Sequence, residues 1–111
     1  NYIMVLVQSG RTGQALPLIN QLVNSSSAKF KSFLYYERSF LQGSEENSLS
    51  DLRSSLIANP RNSDSLFRLY EIYYKKMDYR KAQYYLKQVV ALNPADTEIR
   101  RLNEELSSLI Q

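Results

Sequence analysis

The residue types that most often carry catalysis are absent from this chain. It contains no histidine and no cysteine, which removes the commonest general base, the commonest metal ligand and any thiolate. Two acidic pairs remain, Glu45-Glu46 and Glu104-Glu105. Neighbours on a helix point about 100° apart, whereas acid–base chemistry needs two carboxylates that converge on one cleft. The sequence therefore predicts a protein that is not an enzyme and that uses no metal or cofactor.

Glycine placement indicates a turn rather than a nucleotide site. The segment SGRTGQ over Ser9–Gln14 lacks the spacing and the lysine of a phosphate-binding loop, so we interpret it as a turn between two helices. The net charge is +3, from 14 basic and 11 acidic residues, which permits a nucleic-acid partner without arguing for one. The apolar run Tyr2–Val7 is far shorter than the ~20 residues that span a bilayer. No membrane-spanning segment is predicted.

The composition favours recognition of a partner by aromatic side chains, because tyrosine is frequent. The chain has 9 tyrosines, and Tyr and Arg are frequent hot spots of protein interfaces. Packing between helices is the simpler explanation for some of these rings, namely those of Tyr36, Tyr73 and Tyr85. Some of the remaining aromatic residues are candidates for a binding surface.

Two helical patterns between residues 63 and 96 position many of these side chains. The first apolar stripe follows i, i+3, i+4, i+7 spacing and consists of Leu66, Leu69, Tyr70 and Tyr73. A short turn follows at Lys76–Tyr79. The second stripe consists of Ala82, Leu86, Val89 and Val90. It stops at Asn93-Pro94, because a residue before proline disfavours the α conformation. The predicted unit is helix, turn, helix, proline.

The Asn-Pro pair at residues 93–94 repeats an identical pair at residues 59–60, 34 residues earlier. The pattern Leu66-x2-Leu69-Tyr70-x2-Tyr73 … Ala82-x3-Leu86 … Pro94 resembles the tetratricopeptide repeat (TPR), whose pattern W-x2-L-G-x2-Y … A-x3-F … P has a period of 34 residues. Leu66 replaces the tryptophan of this pattern. Tyr70 stands where the family has a small residue, so we expect the helices of this unit to be pushed apart or locally repacked.

The resemblance implies an all-α fold, a right-handed α-solenoid of antiparallel helix pairs. A weaker copy of the repeat precedes residue 63, with Phe33, Tyr36 and Phe40 on its first helix. We expect a single TPR-like domain, with a helix covering its last apolar face. Its parts are a partial repeat over residues 1–29, repeats over residues 30–62 and 63–96, and a capping helix over residues 97–111. Because the chain opens within an apolar run, we also expect it to be a fragment of a larger protein.

In TPR arrays, the first helices of successive repeats line a concave groove that binds peptides. The groove-facing residues that the resemblance implies are Lys31, Leu34, Tyr35, Arg38, Phe67, Arg68, Glu71, Tyr74 and Lys75. It thus implies a non-catalytic protein–protein interaction module, a scaffold or adaptor that binds a peptide or a partner helix and uses no cofactor.

Two alternatives stay open. The segment Tyr2–Leu16 resembles the related pentatricopeptide repeat, which binds RNA, although the aromatic-rich unit over residues 63–96 and the low net charge disfavour nucleic acid. The chain could also be a packing arm within a larger protein, or self-associate through the uncovered apolar face at Tyr2–Val7.

Overall fold

The computed structural model describes residues 2–24 and 26–110, and these form seven α-helices and no β-strand. The helices are α1 (Tyr2–Gln8), α2 (Thr12–Leu22), α3 (Ala28–Ser39), α4 (Glu45–Ala58), α5 (Ser63–Lys75), α6 (Tyr79–Leu92) and α7 (Thr97–Ile110). The all-α prediction is confirmed. No helix in the described part of the chain has the length and apolar character needed to cross a membrane. Asn1 and Ser25 of the predicted partial repeat and Gln111 of the predicted capping helix lie outside the described residues.

The chain divides into two units, a first unit of Asn1–Asn62 and a second unit of Ser63–Gln111. Within the first unit, α3 packs along α4, and α2 contacts both α1 and α3. Within the second unit, α6 packs against both α5 and α7.

Polar side chains cap the beginnings of α3, α4, α6 and α7. In each case, a serine or aspartate side chain accepts a hydrogen bond from a backbone N–H of the first turn, which has no partner within the helix. The donors and their acceptors are Phe30 with Ser27 (3.3 Å), Asn47 with Ser44 (3.2 Å), Lys81 with Asp78 (3.3 Å) and Ile99 with Asp96 (3.1 Å).

The two Asn-Pro pairs end α4 and α6, as the sequence predicts. Each helix stops directly before the asparagine, at Ala58 and at Leu92. Both asparagine carbonyls then accept a hydrogen bond from the backbone N–H three residues later. Asn62 donates to Asn59 at 3.1 Å, and Asp96 donates to Asn93 at 3.0 Å. The same dipeptide therefore produces the same kind of turn twice.

The ends of α1 and α5 share another geometry, in which one residue has a positive φ. That residue is Gly10 (φ 76°) after α1 and Met77 (φ 62°) after α5. After α5, the N–H of Met77 donates to the carbonyl of Tyr74 at 3.0 Å, and that of Asp78 donates to Tyr73 at 2.9 Å. These bonds define a Schellman motif, in which glycine is the usual residue at the positive-φ position. Met77 occupies that position without being glycine.

Each unit has its own buried core. In the first unit, Ile3, Ile19, Val23 and Leu34 form a cluster against which Tyr35 and other partly buried side chains pack. In the second unit, the stripes predicted on α5 and α6 face inward. Their fully buried members are Leu66, Leu69, Ala82 and Leu86. On α7, Leu106 is buried.

Small polar residues join α3 to α4. Ser32 Oγ donates to the carbonyl of Ser55 at 2.7 Å, and Ser55 Oγ donates back to the carbonyl of Ser32 at 2.9 Å. Toward the other end of the pair, Ser48 Oγ donates to the carbonyl of Ser39 at 2.7 Å. These pairings show that α3 and α4 run in opposite directions. Serine allows the close approach, and every buried hydroxyl in these contacts has a partner.

Candidate functional site

The predicted binding residues fall in both units, and the structure gives those of the first unit different roles. Leu34 has 0% exposed surface and lies in the hydrophobic cluster with Ile3, Ile19 and Val23. It was expected to face a groove, but its side chain presents no surface to a partner. Apolar burial of a leucine stabilises by roughly 1.5–3 kcal/mol, so Leu34 contributes to folding instead.

Arg38 forms hydrogen bonds with other side chains of the first unit. Its Nε lies 3.2 Å from both carboxylate oxygens of Asp51, and its Nη2 lies 2.8 Å from Oδ1 of the same residue. Its Nη1 donates to Asn20 Oδ1 at 2.9 Å. Asp51 is 3% exposed and also accepts from Gln42 at 2.5 Å. The hydrogen bond to Asp51 raises the pKa of Arg38. Arg38 therefore connects α2, α3 and α4, and most of its donors are used inside the molecule.

Lys31 and Tyr35 line a cleft between α3 and α4. This α3/α4 cleft has a volume of about 450 Å³, and its other lining residues are Ala28, Ser54, Ile57 and Ala58. Tyr35 packs against the core cluster, and the Cζ of the Arg38 guanidinium lies 5.2 Å from the centroid of its ring. Tyr35 thus forms a fixed wall of the cleft.

A second cleft, between α5 and α7, contains most of the predicted residues of the second unit. This α5/α7 cleft has a volume of about 270 Å³ and is lined by Phe67, Tyr70, Glu71, Tyr74, Lys75 and Leu102. Of these, Phe67, Glu71, Tyr74 and Lys75 were predicted from the sequence. Arg68, which is partly buried, is not a lining residue of this cleft.

A row of aromatic rings follows α5 beside this cleft and continues to Tyr79 at the start of α6. The ring centroids of Phe67 and Tyr70 are 5.2 Å apart, those of Tyr70 and Tyr74 are 5.8 Å apart, and those of Tyr74 and Tyr79 are 5.5 Å apart. All three pairs are tilted, and their centroid distances fall within the range of about 4.5–7 Å that is typical of interacting aromatic rings. The rings therefore support each other in fixed positions, while Tyr74 keeps 42% of its surface exposed.

Sequence reasoning missed Tyr70 and Ile57 as lining residues. Tyr70 was assigned to the contact between the helices of its repeat, whereas its ring lines the α5/α7 cleft. Burial is the main cause that raises the pKa of its phenol, and the charges of Tyr74, Glu71 and Glu105 add to it. Ile57 is 84% exposed although α4 buries Leu52 and Ser55. The sequence feature that could have indicated Ile57 as a lining residue is its position outside the buried stripe of α4.

The two acidic pairs of the sequence lie on the surface of the protein. Glu45, Glu46, Glu104 and Glu105 are all exposed. Within residues 2–24 and 26–110, there is no group of three or more acidic residues that could hold a metal ion.

The chain was also compared with known proteins. A scan against protein-family models gave no match, and a search of curated proteins found no related sequence.

Proposed function

We propose that this chain is a non-catalytic protein-interaction module, built from TPR-like helix pairs that stack as a right-handed α-solenoid. In this proposal it acts as a scaffold or adaptor and binds a peptide or helix of a partner protein. The observation that carries the proposal is the α5/α7 cleft. Its wall of aromatic rings has charged groups of opposite sign beside it, Glu71 and Lys75.

The α5/α7 cleft has room for a single side chain of a partner. Pockets for small ligands commonly measure about 300–1,000 Å³ and enclose most of the ligand. At about 270 Å³, the α5/α7 cleft is smaller than this range. Insertion of single anchor side chains into such clefts is how protein interfaces concentrate their binding free energy.

The fixed rings also lower the cost of binding. Tyr70 contacts both Phe67 and Tyr74 through its ring, so these side chains lose little conformational freedom when a partner arrives. Glu71 and Lys75 can add charge-assisted hydrogen bonds to the groups that flank the anchor. These features support recognition of a partner segment that combines an apolar or aromatic anchor with polar neighbours.

The proposal is tested by selecting peptides from a random library on the whole chain and measuring their affinity for Tyr74→Ala. Loss of a hot-spot ring costs at least about 1–2 kcal/mol, so we expect the selected peptides to bind roughly tenfold more weakly. Fluorescence anisotropy with labelled peptides gives this comparison directly.

The matched control is Tyr84→Ala on α6, which removes a ring that is 65% exposed and does not line the cleft. Circular dichroism establishes that both variants keep their helices. The proposal would be contradicted if the selected peptides bound both variants with the same loss of affinity, or if neither variant lost affinity.

A further inference from the structure

Positive charge is concentrated at one end of the α3–α4 pair. The segments 26–35 and 52–62, which contain the start of α3 and the end of α4, carry lysine or arginine but no aspartate or glutamate. Their cations are Lys29, Lys31, Arg53 and Arg61. The acidic residues of this pair lie elsewhere. Glu45 and Glu46 begin α4, Asp51 is bound to Arg38, and Glu37 is 5% exposed.

The α3/α4 cleft lies at this positive end and combines charge with apolar surface. Among the described residues that line it, Lys31 is the only charged one, and Ala28, Ile57 and Ala58 supply its apolar surface. Ile57 is 84% exposed. Such a mixture complements a segment with an acidic side chain beside an apolar one, because burial of the apolar group is reinforced by attraction of the carboxylate.

We propose that the α3/α4 cleft binds an acidic segment of a partner protein. An apolar side chain of that segment packs on Ile57 and Ala58, and a neighbouring carboxylate pairs with Lys31. This site goes beyond the function proposed above, since it lies in the other unit, uses different residues and selects ligands by negative charge.

Nucleic acid fits this cleft less well, although it is also negatively charged. Proteins that bind single strands usually stack bases on exposed aromatic faces. Among the described residues, Tyr35 is the one aromatic residue that lines the cleft, and it already packs against the core cluster and contacts the Arg38 guanidinium. The remaining apolar surface is aliphatic and suits the side chains of a protein.

The test uses the whole chain and a blocked, fluorescein-labelled peptide, Gly-Ser-Asp-Leu-Glu-Asp-Leu-Gly. Its twin carries asparagine and glutamine in place of the acids, and a labelled oligouridylate of similar length serves as the RNA probe. We expect the acidic peptide to bind about tenfold more tightly than its twin at low salt. This preference shrinks as added salt screens the charges.

Two substitutions locate the binding. We expect Lys31→Gln and Ile57→Ser each to weaken binding of the acidic peptide about three- to tenfold. The control Lys87→Gln, at an exposed lysine on α6, should leave the affinity for the peptide unchanged. Neither substitution removes buried apolar surface, and circular dichroism checks that the helices persist.

Several outcomes would overturn the inference. One is equal affinity for the acidic peptide and its twin, and another is no binding of the acidic peptide at about millimolar concentration. A third is that Lys87→Gln loses as much affinity for the acidic peptide as Lys31→Gln does. Tighter binding of oligouridylate that depends on Lys31 would assign the cleft to nucleic acid instead. Tyr74→Ala does not alter this cleft, so failure of one site is distinguishable from failure of the other.

Discussion

The phenol of Tyr70 shows how one residue responds to its surroundings. It is 8% exposed, and burial raises its pKa, with further contributions from Tyr74, Glu71 and Glu105. A raised pKa means that the folded chain holds this proton at a pH where the unfolded chain has begun to release it. The corresponding stability is fully present below the ordinary tyrosine pKa of about 10 and is lost as the pH rises through the folded-state value.

We therefore predict that Tyr70→Phe makes the free energy of unfolding less sensitive to alkaline pH. Urea unfolding of the parent and the variant between about pH 9 and pH 11 measures this. Phenylalanine cannot ionise, so the variant gains stability relative to the parent as the pH increases. Tyr84→Phe, at an exposed tyrosine on α6, serves as the control because it removes a phenol that is not buried. If the two variants show the same pH dependence, Tyr70 does not have the raised pKa.

Arg38 illustrates why a residue's type does not reveal its role. An arginine on the predicted groove face of a helix has the chemistry of an interface hot spot. The same guanidinium also suits a two-point contact with a carboxylate, and Asp51 supplies one from α4. Because Asp51 is nearly excluded from solvent, loss of this contact would leave its charge buried without its cation. Arg38 is thus a determinant of folding.

At the scale of the helix, the two positive-φ ends allow an internal comparison. Gly10 adopts φ 76° at no steric cost, while Met77 adopts φ 62° with a side chain that is 75% exposed. A residue with a Cβ in this conformation costs about 1–2 kcal/mol of stability. Glycine avoids this cost, but part of the advantage is lost because glycine increases the conformational entropy of the unfolded chain.

We predict that Met77→Gly stabilises the protein by roughly 0.5–1 kcal/mol and that Gly10→Ala destabilises it by a similar amount. Nothing lies within 4 Å of a Cβ built on Gly10, so the cost of Gly10→Ala comes from backbone conformation alone. Thermal and urea unfolding of the variants give both values. Met77→Ala, which keeps the Cβ, is the control and should not gain the stability. A loss of stability in Met77→Gly would show that the methionine side chain matters more than its φ.

At the scale of the whole molecule, burial is unequal among the helices. Within the first unit, α4 buries Ser48, Leu49, Asp51, Leu52 and Ser55, while α1 buries Ile3 and Leu6. Within the second unit, α5 has several buried residues, whereas α7 has Leu106. Segments with few buried contacts open at low free energy.

Hydrogen exchange should follow this distribution. We expect the slowest amides of the first unit in α3 and α4, and those of the second unit in α5 and α6. The amides of α1 and α7 should exchange faster than those of the slowest helix in the same unit. Exchange measured by NMR or mass spectrometry tests the ranking. Protection of α1 equal to that of α4 would contradict it.

The sequence by itself determined the helices and their ends. The Asn-Pro turns, the serine and aspartate caps and the stripes of α5 and α6 depend on residues a few positions apart. Hydrogen bonds and steric limits within one turn are therefore enough to specify them. Part of the α5/α7 cleft was predictable in a different way, because the TPR resemblance implies that Phe67, Glu71, Tyr74 and Lys75 share one face of α5.

Only the tertiary structure decided what each exposed or buried face does. Leu34 is buried because α1 and α2 supply Ile3 and Ile19, and Arg38 is held because Asn20 and Asp51 approach from other helices. Tyr70 and Ile57 line clefts whose opposite walls also come from other helices. Side-chain environment depends on contacts between residues distant in sequence, and helical periodicity within one element carries no information about them.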